Sequence, residues 1–432
     1  SVVASLKAEL DFGLLKKCIQ LEYERYGCMR IRFTKRDKNG DVKQYLTEKE
    51  TRDIPLKDLS GMHMEEADYL MQQWAYETFD GDDIPLCDVV MVKLPDGYNG
   101  FFIHMDHRLI DSCGLVVMIN DLMQLYTHYK FNTPYPQKLA DFEEVLVKDL
   151  NRANNEKRFA KDKKFWDDQL DAWGEPLYSD IQGLDVLEAS RKLHRNKTLR
   201  AADIELDQLF VAVKDYQLEP EPTKNLIDFC MNHQLSMTNL LLLGIRTYLS
   251  KMNHGQEDIT IENFISRRST HDEWTSGGSR TIMFPCRTVI SADTDFLSAA
   301  YEIQNMQNRI YMHSNYDPAL IREEMQKRYH TPKNTAYESC YLTYQPMPVK
   351  LDNPHLVQIP QHAKWFANGA ATKKMYLTVS HTDNGGMNFS YHYQTAHLAE
   401  HDMELLYYYM MRILFKGIAE PDMSIGEIME QV

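Results

Sequence analysis

The chain has 432 residues, 43% hydrophobic and 26% charged, which describes a folded globular protein with more sequence than one core usually holds, so two domains are expected. With 63 acidic against 48 basic residues the formal charge is -15, which argues against binding nucleic acid or an anionic membrane, since both favour a basic surface. Seven scattered cysteines without a CxxC pair fit neither a disulfide framework nor a zinc site, and with no signal peptide and no long apolar run the chain reads as cytoplasmic.

Taken in order, residues 1–10 read as a strand, and the apolar spacing from Leu14 to Tyr23 as a helix. Residues 29–33 alternate with period two, placing Met29, Ile31 and Phe33 on a core and Arg30 and Arg32 away from it. The turn at residues 38–41 leads to a strand ending near Leu46, and residues 62–79 are helical in pattern. Residues 89–94 and 100–104 form strands around the hairpin signal Pro95-Asp96-Gly97. Beyond residue 129 the periodicity weakens, and Pro176 marks the expected boundary, giving domains 1–175 and 176–432. The second half repeats the grammar. A strand is expected at 210–215, helices at 224–233 and after the cap Ser236, a strand at 258–265 and a helix at 295–313. The hairpin Asp383-Asn384-Gly385-Gly386 joins strands at 375–380 and 387–393, before a last helix at 397–414.

Chemistry concentrates in residues 101–112. A strand-like run ends in polar residues, and the spacing of Leu115, Val116, Ile119, Leu122, Met123 and Tyr126 opens an amphipathic helix straight after them. His107 and Asp111 therefore sit in a turn between a buried strand and a packed helix, where a side chain is held rigidly yet open to a cleft. His107 suits a general base. His104 and His107 are three apart at a strand end and face opposite ways, so no metal site is expected. Cys113 lacks the context of a reactive thiol, and neither GxSxG nor a glycine-rich phosphate loop occurs.

In ordered series, several segments resemble the condensation domains of nonribosomal peptide synthetases, within the chloramphenicol-acetyltransferase-like HxxxD acyltransferase superfamily. The HHxxxDG signature is similar to Asp106-His107-Arg108-Leu109-Ile110-Asp111-Ser112. The RHExLRTxF segment resembles residues 25–33, the PFD…PL segment resembles Thr78-Phe79-Asp80…Pro85-Leu86, and GxFVNTLPLR resembles residues 278–287. An HQDxPFE-like piece appears at 313–321, and a closing helix follows the strand that begins near Tyr391. The resemblance departs from the pattern at Asp106, where the family has histidine, and at Ser112, where it has glycine.

This resemblance implies an α/β fold of two chloramphenicol-acetyltransferase-like lobes forming a V, with a tunnel at the junction. It implies an acyltransferase that joins a thioester-bound acyl or aminoacyl group to an amine or hydroxyl. Substrates would be small-molecule thioesters on phosphopantetheine carrier proteins, donor and acceptor, or on coenzyme A, with no bound cofactor and no metal. His107 would position or deprotonate the nucleophile, and Asp111 would be structural, paired with an arginine: Arg30 first, then Arg25 and Arg287. Asp106, Ser112 and His104 would line the tunnel. A non-catalytic module that docks carriers or recruits a partner enzyme is the alternative. Two basic clusters are candidate carrier contacts: Lys157, Arg158, Lys161, Lys163 and Lys164, and Lys327, Arg328 and Lys333.

Overall fold

The computed structural model describes residues 1–48, 51–204, 206–346, 351 and 353–432, and divides into two compact α/β units. The first comprises Ser1–Asn151, Ser266–Thr281 and Val349–Asn368, and the second Arg152–Ile265, Ile282–Pro348 and Gly369–Val432. This differs from the contiguous halves expected at residue 175. The chain leaves the first unit near residue 151 and returns to it twice.

A five-stranded sheet carries the first unit, in the order Gln361–Trp365, Val2–Leu6, Asn99–Met105, Cys87–Lys93 and Leu56–Asp58. All its pairs are antiparallel except the last. Alternation along the strands loads both faces. Val2, Ala4, Phe101 and Ile103 pack to one side with apolar residues of the helices Phe12–Arg25 and Ser112–Phe131. Val3, Val92 and Phe102 pack to the other with Ala67, Met71 and Ala75 of the helix Met64–Ala75. Each face removes a row of large side chains from water, at about 1.5–3 kcal/mol for a fully buried Val, Leu, Ile or Phe.

Residues 29–33 depart from the alternating reading. A 3-10 turn, Gly27–Arg30, precedes a strand of only Ile31–Phe33, and Arg32 is 2% exposed where it was expected to face out. Its guanidinium donates to the Ile31 carbonyl at 3.0 Å.

The second unit holds a six-stranded sheet, in the order Thr281–Val289, Asp258–Ser266, Cys340–Gln345, Met375–His381, Met387–Gln394 and Val211–Leu218. The third strand runs parallel to both its neighbours, and the hairpin of Met375–His381 and Met387–Gln394 is antiparallel as expected. Its buried positions Leu377, Val379, Phe389 and Tyr391 join one core with the helices Met237–Met252 and Glu400–Ala419. Ser236 caps the first of these by accepting from Asn239 N, and Asp295 caps the helix Phe296–Met312 by accepting from Ser298 N. One further helix, Ile425–Gln431, follows the one expected to be last. Among the described residues no helix is long and apolar enough to cross a membrane.

Candidate active site

The candidate site belongs to the first unit. The strand Asn99–Met105 ends at a tight turn whose backbone is fixed from both sides. Asp106 N donates to the Leu86 carbonyl at 2.9 Å, and Leu109 N donates to the Asp106 carbonyl at 3.0 Å. Leu109 and Ile110 are buried, so the turn is also anchored by packing. His107 stands exposed at the apex, and neither imidazole nitrogen hydrogen-bonds to another described residue.

Asp106 takes up a different task from a second site histidine. Its carboxylate accepts from Arg108 Nε at 2.9 Å, from Nη2 at 2.7 Å and from the Arg108 backbone N at 2.8 Å. Burial alone would raise this carboxyl, but the Arg108 bonds and charge hold it below the usual range. Arg108 in turn lies 4.7 Å over the Phe33 ring. His104 sits three residues before His107 on the strand, stacked on Phe79 at 4.6 Å, and burial holds its imidazole below the ordinary value.

Asp111 is the N-cap of the helix Ser112–Phe131 and accepts from Gly114 N at 3.0 Å. It does far more than cap. Arg268 Nη1 and Nη2 donate to its two oxygens at 2.7 and 2.8 Å. Arg280 N, Thr281 N and Thr281 Oγ1 add donors at 2.8, 3.0 and 3.0 Å. Asp111 is 3% exposed and Arg268 7%. Burial would raise the Asp111 carboxyl, yet the bonds and charge of Arg268, with the Gly114 and Arg280 amides, hold it below its ordinary value. An acid so fully occupied orients backbone and has no free lone pair aimed at chemistry.

The arginine is not one of the three expected. Arg30 closes the end of the helix Phe12–Arg25, donating to the Tyr23 and Glu24 carbonyls at 3.1 and 2.9 Å. Arg25 forms a two-pronged pair with Asp121 at 2.8 and 2.9 Å. Arg287 pairs with Asp258 in the second unit at 2.8 and 2.7 Å. Arg268 lies in Ser266-Arg267-Arg268, directly after a buried strand, and a cation at such a strand end is the one sequence signal that pointed to it.

The Arg268 loop, residues 266–281, is shaped by two adjacent glycines. Gly277 and Gly278 hold φ of +80° and +83°, where side-chain-bearing residues are strained. A Cβ on Gly277 would lie 2.7 Å from Tyr26 Cζ, and one on Gly278 would lie 2.8 Å from Phe142 Cε2. The Gly278 carbonyl accepts from Arg268 Nη2 at 3.1 Å, and Tyr26 Oη donates to the Gly114 carbonyl at 2.9 Å. Loop and helix start are thus locked together. Ser112 opens the helix, half-buried, and Cys113 beside it has its thiol raised by burial, which makes it a poor nucleophile.

The site thus joins, within a mixed α/β fold, a histidine at a strand–helix turn to a buried, arginine-bound aspartate four residues on. The chain belongs to the condensation domain family, whose sequence pattern matches residues 1–430. It is 20% identical over 422 residues to one of the subunits of plipastatin synthase from Bacillus subtilis (strain 168), covering 98% of this chain and 16% of that protein. The chain therefore spans about a sixth of the length of that relative. Its fold is similar to the first condensation domain of the calcium-dependent antibiotic synthetase in complex with a substrate analogue, with a TM-score of 0.75 at 16% identity, covering 99% of this chain and 93% of the other. It is also similar to a mutant of the starter condensation domain of rhizomide synthetase in complex with C8-CoA, with a TM-score of 0.76 at 14% identity over 98% of this chain and 91% of the other.

Proposed function

We propose that this chain is an active condensation-type acyltransferase, joining a thioester-borne acyl or aminoacyl group to an amine or hydroxyl acceptor during nonribosomal peptide synthesis. The observation that carries the reading is the division of labour in the turn: Asp111 is consumed by Arg268 and backbone donors, while His107 is exposed and unbonded among the described residues. In this scheme the acceptor amine attacks the thioester carbonyl and gives its proton to the His107 imidazole. The C–S bond then breaks, and the departing thiolate takes the proton. General-base help of this kind is worth about 10²–10⁴-fold. No residue forms a covalent intermediate and no cofactor is consumed.

The substrates in this reading are thioesters on donor and acceptor carrier proteins. The match to a far longer peptide synthetase supports carriers. Coenzyme A is the other thiol, supported by the C8-CoA complex of the rhizomide relative. Asp106, in place of histidine and locked onto Arg108, supports a second reading in which the chain docks carriers without catalysis. Mass spectrometry separates the two. Incubation with loaded carriers, and with acyl-coenzyme A plus amine, is expected to yield the condensed product. Carrier binding without any product would favour the docking role.

A further inference from the structure

The second unit contains a cavity of about 760 Å³ between the helices Asp185–Leu193 and Pro318–Tyr329 and the segment that enters the strand Cys340–Gln345. Pockets of about 300–1,000 Å³ hold small molecules. Val186, Ile204 and Met325 supply an apolar wall, while Glu338, Tyr341 and Arg322 supply a polar one.

Behind that polar wall stands Glu262, opposite Tyr341 in the parallel register of the sheet. Glu262 is 2% exposed and Glu338 8%. Glu338 accepts from Tyr337 N at 3.1 Å and from Tyr341 Oη at 3.3 Å. Glu262 Oε2 is buried with no hydrogen-bond donor among the described residues. Asp203, also on the cavity, meets His194 Nε2 at 2.8 Å through Oδ1, and its buried Oδ2 has no donor among them either. The nearest cations do not meet this need. Arg322 Nη1 is 3.7 Å from Glu262 Oε1, too long for a hydrogen bond, and Lys373 Nζ lies over the Tyr341 ring at 4.6 Å. Lys374 is engaged by Asp180.

The unmet polar atom on the cavity is thus a carboxylate oxygen, Asp203 Oδ2, with the Glu338 carboxylate also in the lining. A buried acceptor without a donor is costly, and a cation rich in N–H groups is the ligand that relieves it. We propose that this cavity binds a small organic cation, a primary ammonium on an apolar body, with the ammonium held by the carboxylates that line it, Glu338 and Asp203, and the body against Val186, Ile204 and Met325. Burial and the neighbouring Glu262 charge push the Glu338 carboxyl up to about 7, so that carboxyl readily holds a proton that an ammonium can replace.

Calorimetric titration of the whole protein with n-hexylamine, 1-hexanol and hexanoate tests this. Hexylamine is expected to bind at least about tenfold more tightly than either of the other two. Glu338→Gln, which keeps the shape and removes the charge, is expected to weaken hexylamine about tenfold or more. Met325→Trp, which fills the apolar wall, should abolish binding. If Glu338→Gln does not fold, Asp203→Asn gives the same reading. Hexanoate binding as tightly as hexylamine would mean that Arg322 and Lys373 select an anion, and would overturn the proposal. So would no heat from hexylamine up to about 10 mM, or unchanged affinity in the folded charge-neutral variant.

Discussion

Arg268 and Asp111 lie 157 positions apart in sequence and meet side by side through bonds of 2.7 and 2.8 Å, both buried. The pair ties the loop of residues 266–281 to the first turn of the helix that follows His107. Removing one partner leaves the other charged and stranded, at about 3–5 kcal/mol. Arg268→Ala and Asp111→Ala are both expected to lower the melting temperature sharply, measured by calorimetry. A stable Asp111→Ala protein that is merely slow would instead make Asp111 a participant in the chemistry. Because the carboxyl is held below its ordinary value, its stabilisation is present above about pH 3.9 and lost as pH falls through the folded value.

His107 is expected to show the opposite pattern. His107→Ala removes an exposed side chain with no hydrogen bond to a described residue, so stability should change by less than about 0.5 kcal/mol. Turnover in the mass-spectrometric assay should fall about 100-fold or more. An unchanged rate sinks the assignment. His104→Ala should cost stability through the lost Phe79 stack more than rate.

The buried pair Glu262 and Glu338 gives the second unit a pH dependence of reversed sign. Burial raises both carboxyls, Glu338 to about 7, against an ordinary value near 4.5. Arg322 and Lys373 face the pair and only partly offset this. Between those values the folded state binds more protons than the unfolded one, so stability falls as pH rises. Chemical denaturation from about pH 4.5 to 7 should show that decline, and Glu338→Gln should flatten it. An equally steep decline in the variant would remove Glu338 as its source.

The two basic clusters proposed as carrier contacts differ in what they leave available. Lys163 and Lys164 are paired with Asp167 and Asp168, and Arg328 meets Glu324, Asp167 and Asp171. Lys157, Arg158 and Lys161 are exposed on the helix Glu156–Trp173, with no ion pair among the described residues. If acidic carriers dock there, reversing these three charges should slow association measured by stopped flow, and added salt should weaken the parent protein. Lys327→Glu and Lys333→Glu should matter less. Indifference to both reversal and salt would exclude the helix.

Periodicity made much of this architecture legible. The hairpin at residues 383–386, the cap Ser236, the helix starting near Asp295, and the strand–turn–helix carrying His107 and Asp111 are local signals, each decided within a dozen residues. Strands without that signature stayed hidden. Cys340–Gln345 has four consecutive buried residues and so does not alternate, while Gln361–Trp365 is polar and largely exposed at an edge. Arg268 escaped for a different reason. A salt-bridge partner is selected by tertiary geometry, and the nearer motif arginines, Arg25 and Arg30, are spent on Asp121 and on helix-end carbonyls.

The pairing of Val2–Leu6 with Gln361–Trp365 has a consequence for the order in which the protein can be made. At about 5–20 residues per second, roughly 13–50 s of synthesis separate the emergence of Met105 from that of Trp365. Throughout that interval the first strand offers an unsatisfied edge on the nascent chain, and Asp111 has no guanidinium to meet until residue 268 appears. The early segment must therefore wait on the ribosome in an incomplete state. A fragment ending at residue 175 is expected to aggregate, whereas supplying residues 266–432 in trans offers it both missing pieces.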